Sequence, residues 1–263
     1  MKTCHYVILN PTGNLTALVL DPVTPEEETF LTKELLKISE QVAYLESPSL
    51  PSAEAAIRLM GGEFCGNAAM ASAAWILRNA LTEGNEKTIL LQVSGVDQPV
   101  SCHIKKTGGC FQGTVLMPSV QIPHRIILAG RSFTAVHMKG ILHLIHEDAL
   151  VDKAEAENLL RDIVSSLPDE AIGLLHWNRT LNELIPLVFV RGSNSMIWEH
   201  GCGSGSAAIG VYEAFLHGDG VTETVINQPG GTITTDVVIK NGIVLSVSIT
   251  GLIQIENEET VIL

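Results

Sequence analysis

Glu63-Phe64-Cys65-Gly66-Asn67-Ala68-Ala69 and His200-Gly201-Cys202-Gly203-Ser204-Gly205-Ser206 are the two stretches on which the reading of the fold turns. Their cysteines lie 137 residues apart (65 to 202), close to half of the 263-residue chain. Each stretch is a Cys-Gly-polar triplet that runs into a segment apolar nearly all round, residues 68–81 in one case and 207–216 in the other. A helix without a polar face is normally a buried one. Recurrence of the device predicts an α+β fold of two pseudo-symmetric halves. Each half is expected to be a β-sheet or barrel wrapped around a buried central helix, with the active site between the halves. Met117-Pro118 and Ile122-Pro123 punctuate the middle of the chain, so the halves are placed at 1–120, with Cys65, and 121–263, with Cys202.

Outside these two segments the chain reads mostly as short strands rich in Val, Ile, Leu and Thr, bounded by Gly, Pro, Asn or Asp. Examples are residues 6–9, 16–20, 89–93, 141–145, 184–190 and 243–249. Asn241-Gly242, between two such runs, is a strong two-residue hairpin signal because both positions accept positive φ. Residues 25–40 and 153–167 have the mixed polarity of surface helices.

A cysteine at a helix start faces backbone N–H groups and the positive end of the helix dipole. Both favour thiolate, so each cysteine is expected to have a lowered pKa. The same N–H groups, on Gly66, Asn67, Gly203 and Ser204, suit an anion such as an α-carboxylate. A thiolate on one face of a substrate α-carbon could remove its proton while a thiol on the other face delivers one, inverting the centre. That scheme makes Cys65 and Cys202 the catalytic pair and requires neither a metal nor a carbonyl cofactor. The five cysteines, at 4, 65, 102, 110 and 202, form no CxxC pair and no regular framework, so free thiols are expected. No paired-ligand spacing suggests a metal site. Cys4, Cys102 and Cys110 read as core residues.

Composition narrows the partners. Lys+Arg number 16 against 29 Asp+Glu, a formal net charge of −13, and no basic run interrupts the excess. Nucleic acid and anionic membrane surfaces are therefore excluded as expected partners. The opening apolar run, Tyr6-Val7-Ile8-Leu9, is cut short by Asn10-Pro11-Thr12-Gly13-Asn14, and no stretch reaches the roughly 18 apolar residues of a membrane span. A cytoplasmic protein is the expectation.

These blocks resemble the diaminopimelate epimerase-like superfamily, which includes diaminopimelate epimerase, the proline racemases and the phenazine-biosynthesis isomerases. Asn10-Pro11-Thr12-Gly13-Asn14 is similar to the N-terminal turn whose Asn reaches substrate. Glu63-Phe64-Cys65-Gly66-Asn67 and residues 198–205 are similar to the two catalytic blocks, and Gln228-Pro229-Gly230-Gly231 to the turn before the closing hairpin. His143 stands where the resemblance implies a His near the catalytic pair. The Asn-Ala-Asp-Gly stretch that precedes the first Cys in diaminopimelate epimerases is missing. His200 occupies the position of the Arg that clamps a distal carboxylate there, which argues against a substrate with a second carboxylate. The compact first block, Glu40-Gln41-Val42, Ile197-Trp198-Glu199 and the Gln-Pro-Gly-Gly turn are most similar to the cofactor-independent histidine racemases of opine-type metallophore biosynthesis. The resemblance implies racemisation of a free amino acid, L-histidine to D-histidine, without pyridoxal phosphate, in a homodimer. It places Asn14, Glu40, Gly66, Asn67, His143, Glu199, Gly203 and Ser204 around the substrate. A diaminopimelate epimerase or imino-acid racemase, and a non-catalytic amino-acid-binding protein, are the rival expectations.

Overall fold

Aliphatic and β-branched runs between turn residues become strands throughout the computed structural model, which describes residues 2–147, 152–192 and 194–263. The chain divides into two compact units, residues 1–116 with 250–263, and residues 117–249.

The first unit contains β1 (Thr3–Pro11), β2 (Thr16–Val19), α1 (Pro25–Leu35), β3 (Gln41–Glu46), β4 (Ala55–Leu59), α2 (Gly66–Leu77), β5 (Glu86–Val93), β6 (Val100–Thr107) and β7 (Cys110–Leu116). Strands β1 to β7 are hydrogen-bonded in sequence order. The chain's last strand enters this unit at Thr250 and pairs with both β7 and β1, antiparallel to β1 from Pro11↔Ile253 to Thr3↔Ile262. A ring of strands results. One side of β1 and β2, with Cys4, Tyr6, Ile8, Ala17 and Val19, packs with Leu31 and Leu35 of α1. Helix α2 packs against β1, β5, β6 and β7, and all of its residues except Ile76 are buried. Gly113 on β7 permits the close approach: a β-carbon there would lie 2.9 Å from Met70 Cβ.

The second unit contains β8 (His124–Leu128), β9 (Arg131–Met138), β10 (Ile141–Glu147), α3 (Lys153–Val164), β11 (Ala171–Asn178), β12 (Glu183–Val190), β13 (Ser195–Trp198), α4 (Gly203–His217), β14 (Gly220–Gln228), β15 (Gly231–Lys240) and the start of β16 (Ile243–Ile262). The spatial order is β16-β15-β14-β12-β11-β10-β9-β8, with β13 on β12. Helix α3 supplies Ala156, Leu159, Leu160 and Ile163 to a core shared with β9–β12. Helix α4 packs against β14, β15 and β9–β11, and is buried along most of its length. Its one buried acid, Glu213, accepts hydrogen bonds from Trp177 Nε1 at 2.8 Å and Arg179 Nε at 2.9 Å. Asn241 and Gly242 both take positive φ, 54° and 71°, at the turn between β15 and β16.

Three expectations shift in detail. Helices α2 and α4 begin at Gly66 and Gly203, earlier than the apolar composition suggested, so each cysteine is itself the N-cap. Helix α1 stops at Leu35 rather than near residue 40, and Ser39 Oγ donates back to the Leu35 carbonyl at 2.8 Å. Residues 250–263 sit with the first unit although a single cut near 118–124 groups them with the second. That assignment follows from an antiparallel ladder with a partner about 250 residues upstream.

Candidate active site

Cys65 caps α2 in extended conformation, φ −133° and ψ 115°, and its sulfur accepts from Ala68 N–H at 3.5 Å. Cys202 caps α4 in the same way, φ −103° and ψ 104°, its sulfur accepting from Gly205 N–H at 3.2 Å. Sulfur thus takes the place of the usual Ser or Asp oxygen at the third N–H of each helix. Cys65 is half-buried and Cys202 buried, and all five cysteines are free thiols.

The surroundings of Cys202 reverse the expected sign of its pKa. Burial is the largest influence, and the Glu199 charge and Glu199's acceptance of a side-chain hydrogen bond add to it; together they push the thiol well above its ordinary value. The Ser204 hydroxyl and Gly205 N–H pull the other way and are outweighed. A helix start alone therefore does not make this cysteine a thiolate; a neighbouring carboxylate in a dry site holds it protonated. Of the cysteines read as core residues, Cys102 is fully buried and its pKa is pushed up to about 12 by burial, whereas Cys110 is half-buried.

His143, on β10, is fully enclosed, and burial pushes its pKa down to about 3, so the ring is neutral. Its Nε2 lies 3.0 Å from Ser204 Oγ, and Ser204 Oγ lies 3.6 Å from Cys202 Sγ. His143 therefore reaches the cysteine through Ser204, not by presenting an open ring to a ligand. Room for the ring comes from Gly173, its cross-strand partner on β11: a β-carbon there would lie 2.8 Å from His143 Cε1 and nearer still to Nδ1.

In the first unit Asn14 follows the turn after β1 and is buried. Its Nδ2 donates to Glu40 Oε2 at 3.1 Å, and its Oδ1 accepts from Gln41 Nε2, which also donates to Thr16 Oγ1 at 2.8 Å. Glu40 and Gln41 both donate their backbone N–H to the Leu15 carbonyl. The structure thus joins Asn14 to Glu40 and adds Gln41, which sequence reasoning quoted but gave no role. Gly66 and Asn67 open α2, and Gly203 and Ser204 open α4; Gly66, Asn67 and Gly203 are buried.

Gln228 was also without a role. It ends β14, is 7% exposed, and accepts the Cys202 backbone N–H at 2.7 Å. A buried amide side chain needs several partners, so a Gln opening a Gly-rich turn near a buried helix start was the available signal. Among the described residues no group of three or more His, Cys, Asp or Glu is arranged to hold a metal ion. No described helix is long and apolar enough to cross a membrane.

Comparison with known proteins shows the family and the fold. A family model described as "Histidine racemase CntK N-terminal domain" matches residues 3–261. The chain is 26% identical over 239 residues to a histidine racemase of Staphylococcus aureus, covering 85% of both chains. It is 25% identical over 222 residues to a histidine racemase of Fusobacterium nucleatum, covering 81% of this chain and 82% of that one. A hydroxyproline epimerase from Agrobacterium vitis, solved with bound trans-4-hydroxy-L-proline, has the same fold at a TM-score of 0.73 and 13% identity, over 98% of this chain and 92% of that one. The fold is accordingly the mixed α+β, strand-rich architecture of that class of epimerases. Because the family model takes in nearly every residue of both units, the chain belongs to the histidine racemase family and is an amino-acid racemase, an isomerase.

Proposed function

We propose that this chain interconverts L- and D-histidine without pyridoxal phosphate, using Cys65 and Cys202 as a two-base pair. The observation that carries the reading is the matched capping of two buried helices by cysteine sulfur. In the proposed reaction the Cys65 thiolate takes the α-proton and becomes a thiol, while the C–H electron pair moves into the carboxylate-stabilised carbanion. Cys202, held as a thiol by burial and Glu199, then gives its proton to the opposite face and is left as thiolate. The reverse direction exchanges the two roles, and no net oxidation or reduction occurs. The helix-start N–H groups of Gly66, Asn67, Gly203 and Ser204 bind the α-carboxylate, where the helix dipoles offset the growing negative charge. Asn14 and Glu40 are assigned to the substrate's amino or imidazole group, and the His143–Ser204 pair to steadying the charge on Cys202 sulfur.

The proposal includes two pseudo-symmetric halves, each built around its buried helix, with both sulfurs serving one substrate. It also includes a homodimer and a place in metallophore biosynthesis, as the resemblance of the sequence blocks implies. The test is proton NMR of the reduced protein with L-histidine in D2O, combined with chiral analysis. Loss of the α-proton signal together with D-histidine formation is expected. Exchange with diaminopimelate or proline but not histidine would refute the substrate assignment. Binding of histidine with no exchange of histidine, diaminopimelate or proline would refute catalysis altogether.

A further inference from the structure

Cys202 is held by more than its helix. Its backbone N–H points away from the α4 ladder and needs an acceptor, because an unsatisfied buried N–H is costly. The acceptor is Gln228 Oε1 at 2.7 Å. Gln228 Nε2 donates to Ser206 Oγ at 2.8 Å, and Ser206 Oγ donates to the Cys202 carbonyl at 2.7 Å. The loop closes: one amide side chain and one hydroxyl grip both ends of the same residue. Gln228 and Ser206 are 7% and 0% exposed.

The directions of these bonds are forced. Ser206 has a single hydroxyl proton, given to the Cys202 carbonyl, so it must accept from the amide. Cys202 N–H can only donate. Gln228 therefore has one orientation, with oxygen toward Cys202 and nitrogen toward Ser206. Its turn is bound to the same segment a second time, since Gly230 N–H donates to the His200 carbonyl at 2.8 Å. Residues 228–230 thus act as a template for residues 200–202.

Resting on the two-thiol reading above, we infer that Gln228 is a positioning residue for the reaction at Cys202: through the amide–hydroxyl clamp it sets the aim of the Cys202 sulfur. It touches Cys202 through the backbone and has no part in proton transfer. Displacement by about 1 Å of a group whose geometry decides the rate costs on the order of 10²-fold. Because the clamp grips the backbone of only one of the two cysteines, its loss should be stereochemically one-sided. Inversion in either direction needs Cys202, but exchange with return to the same face needs only the thiol on that face.

The experiment compares the full-length wild-type protein with Gln228→Met, Gln228→Glu and Ser206→Ala, using both histidine enantiomers in D2O. Gln228→Met keeps the length and apolar stem but removes the acceptor. In Gln228→Glu the Cys202 acceptor is kept, yet a second oxygen faces a Ser206 hydroxyl whose proton is committed. Expected are a roughly 10- to 100-fold fall in kcat with KM within about twofold for Gln228→Met, and no rescue by Gln228→Glu. The ratio of exchange to inversion should rise for only one enantiomer. Ser206→Ala should show the same one-sided rise if Gln228→Met does not fold. Folded variants with wild-type kcat, or with the ratio unchanged or raised equally for both enantiomers, overturn the inference. A wild-type protein that exchanges neither enantiomer of any amino acid in a panel instead overturns the racemase reading on which it rests.

Discussion

Replacing Gly173 by Ala adds one methyl group at the point where β11 passes His143, and the structure states what that methyl meets. The added carbon would lie 2.8 Å from His143 Cε1 and closer to Nδ1. Gly173 does not occupy the positive-φ region, so Ala fits the backbone and lowers unfolded-state entropy, a gain of about 0.4–1 kcal/mol. Against that stands overpacking by a rigid ring, about 1–3 kcal/mol. His143 is wholly enclosed and can relieve the overlap only by leaving Ser204, which strands a buried polar group at a further cost of about 1–3 kcal/mol. The balance is a destabilisation of about 1–5 kcal/mol, read from urea midpoints at unchanged slope. The Ser204 hydroxyl loses its anchor at the same time, so kcat should fall as well. A double-mutant cycle isolates the contact: in a His143→Ala background the methyl enters vacated space and Gly173→Ala should be close to neutral. The same destabilisation in both backgrounds would show that the cost comes from elsewhere and that His143 is not held as described.

Cys65→Ser and Cys202→Ser should each abolish inversion, because a serine hydroxyl is a far weaker acid than a thiol; full inversion by either variant in the D2O assay would end the two-base scheme. Glu199→Gln removes the charge that helps raise the Cys202 pKa, so the thiolate of Cys202 should appear at lower pH by ultraviolet absorbance, and an unshifted titration would show that burial acts alone. His176 is 6% exposed, neither of its ring nitrogens has a hydrogen-bond partner, and burial pushes its pKa down to about 4. The unfolded chain therefore takes up this proton first as pH falls below about 6.5, and up to about 2 kcal/mol of stability is lost between pH 7.5 and 5. His176→Phe should flatten that loss in urea melts at the two pH values, and parallel profiles for the two proteins would contradict it.

Much of the site could be read in the sequence because its chemistry is local. A Cys-Gly-polar triplet before an apolar segment describes a helix start within a few residues of itself, so the cysteines' place near helix starts and the burial of α2 and α4 follow from neighbours in the chain, whereas the cap falls on each cysteine itself and not on the polar third residue. Glu40 was legible as a candidate but not its position. It was expected at a helix end, and it lies instead at the entry to β3, four residues beyond the C-cap Leu36. Local composition carries no signal for the early stop of α1.

What the sequence determined by itself is the set of short-range devices: two helix starts next to a cysteine, strands bounded by turn residues, and the Asn241-Gly242 turn with its paired positive φ. Those depend on φ, ψ and side-chain chemistry within a few residues. Tertiary structure alone decided the rest, because each remaining feature joins residues far apart in the chain. The protonated state of Cys202 depends on how dry its site is and on a carboxylate aimed at its sulfur. Gly173 makes room for a ring 30 residues earlier, Gln228 holds an N–H 26 residues earlier, and the final strand closes the first ring against β1. Nothing in the local propensity of either partner encodes such pairings; they exist only once the fold has brought the two segments together.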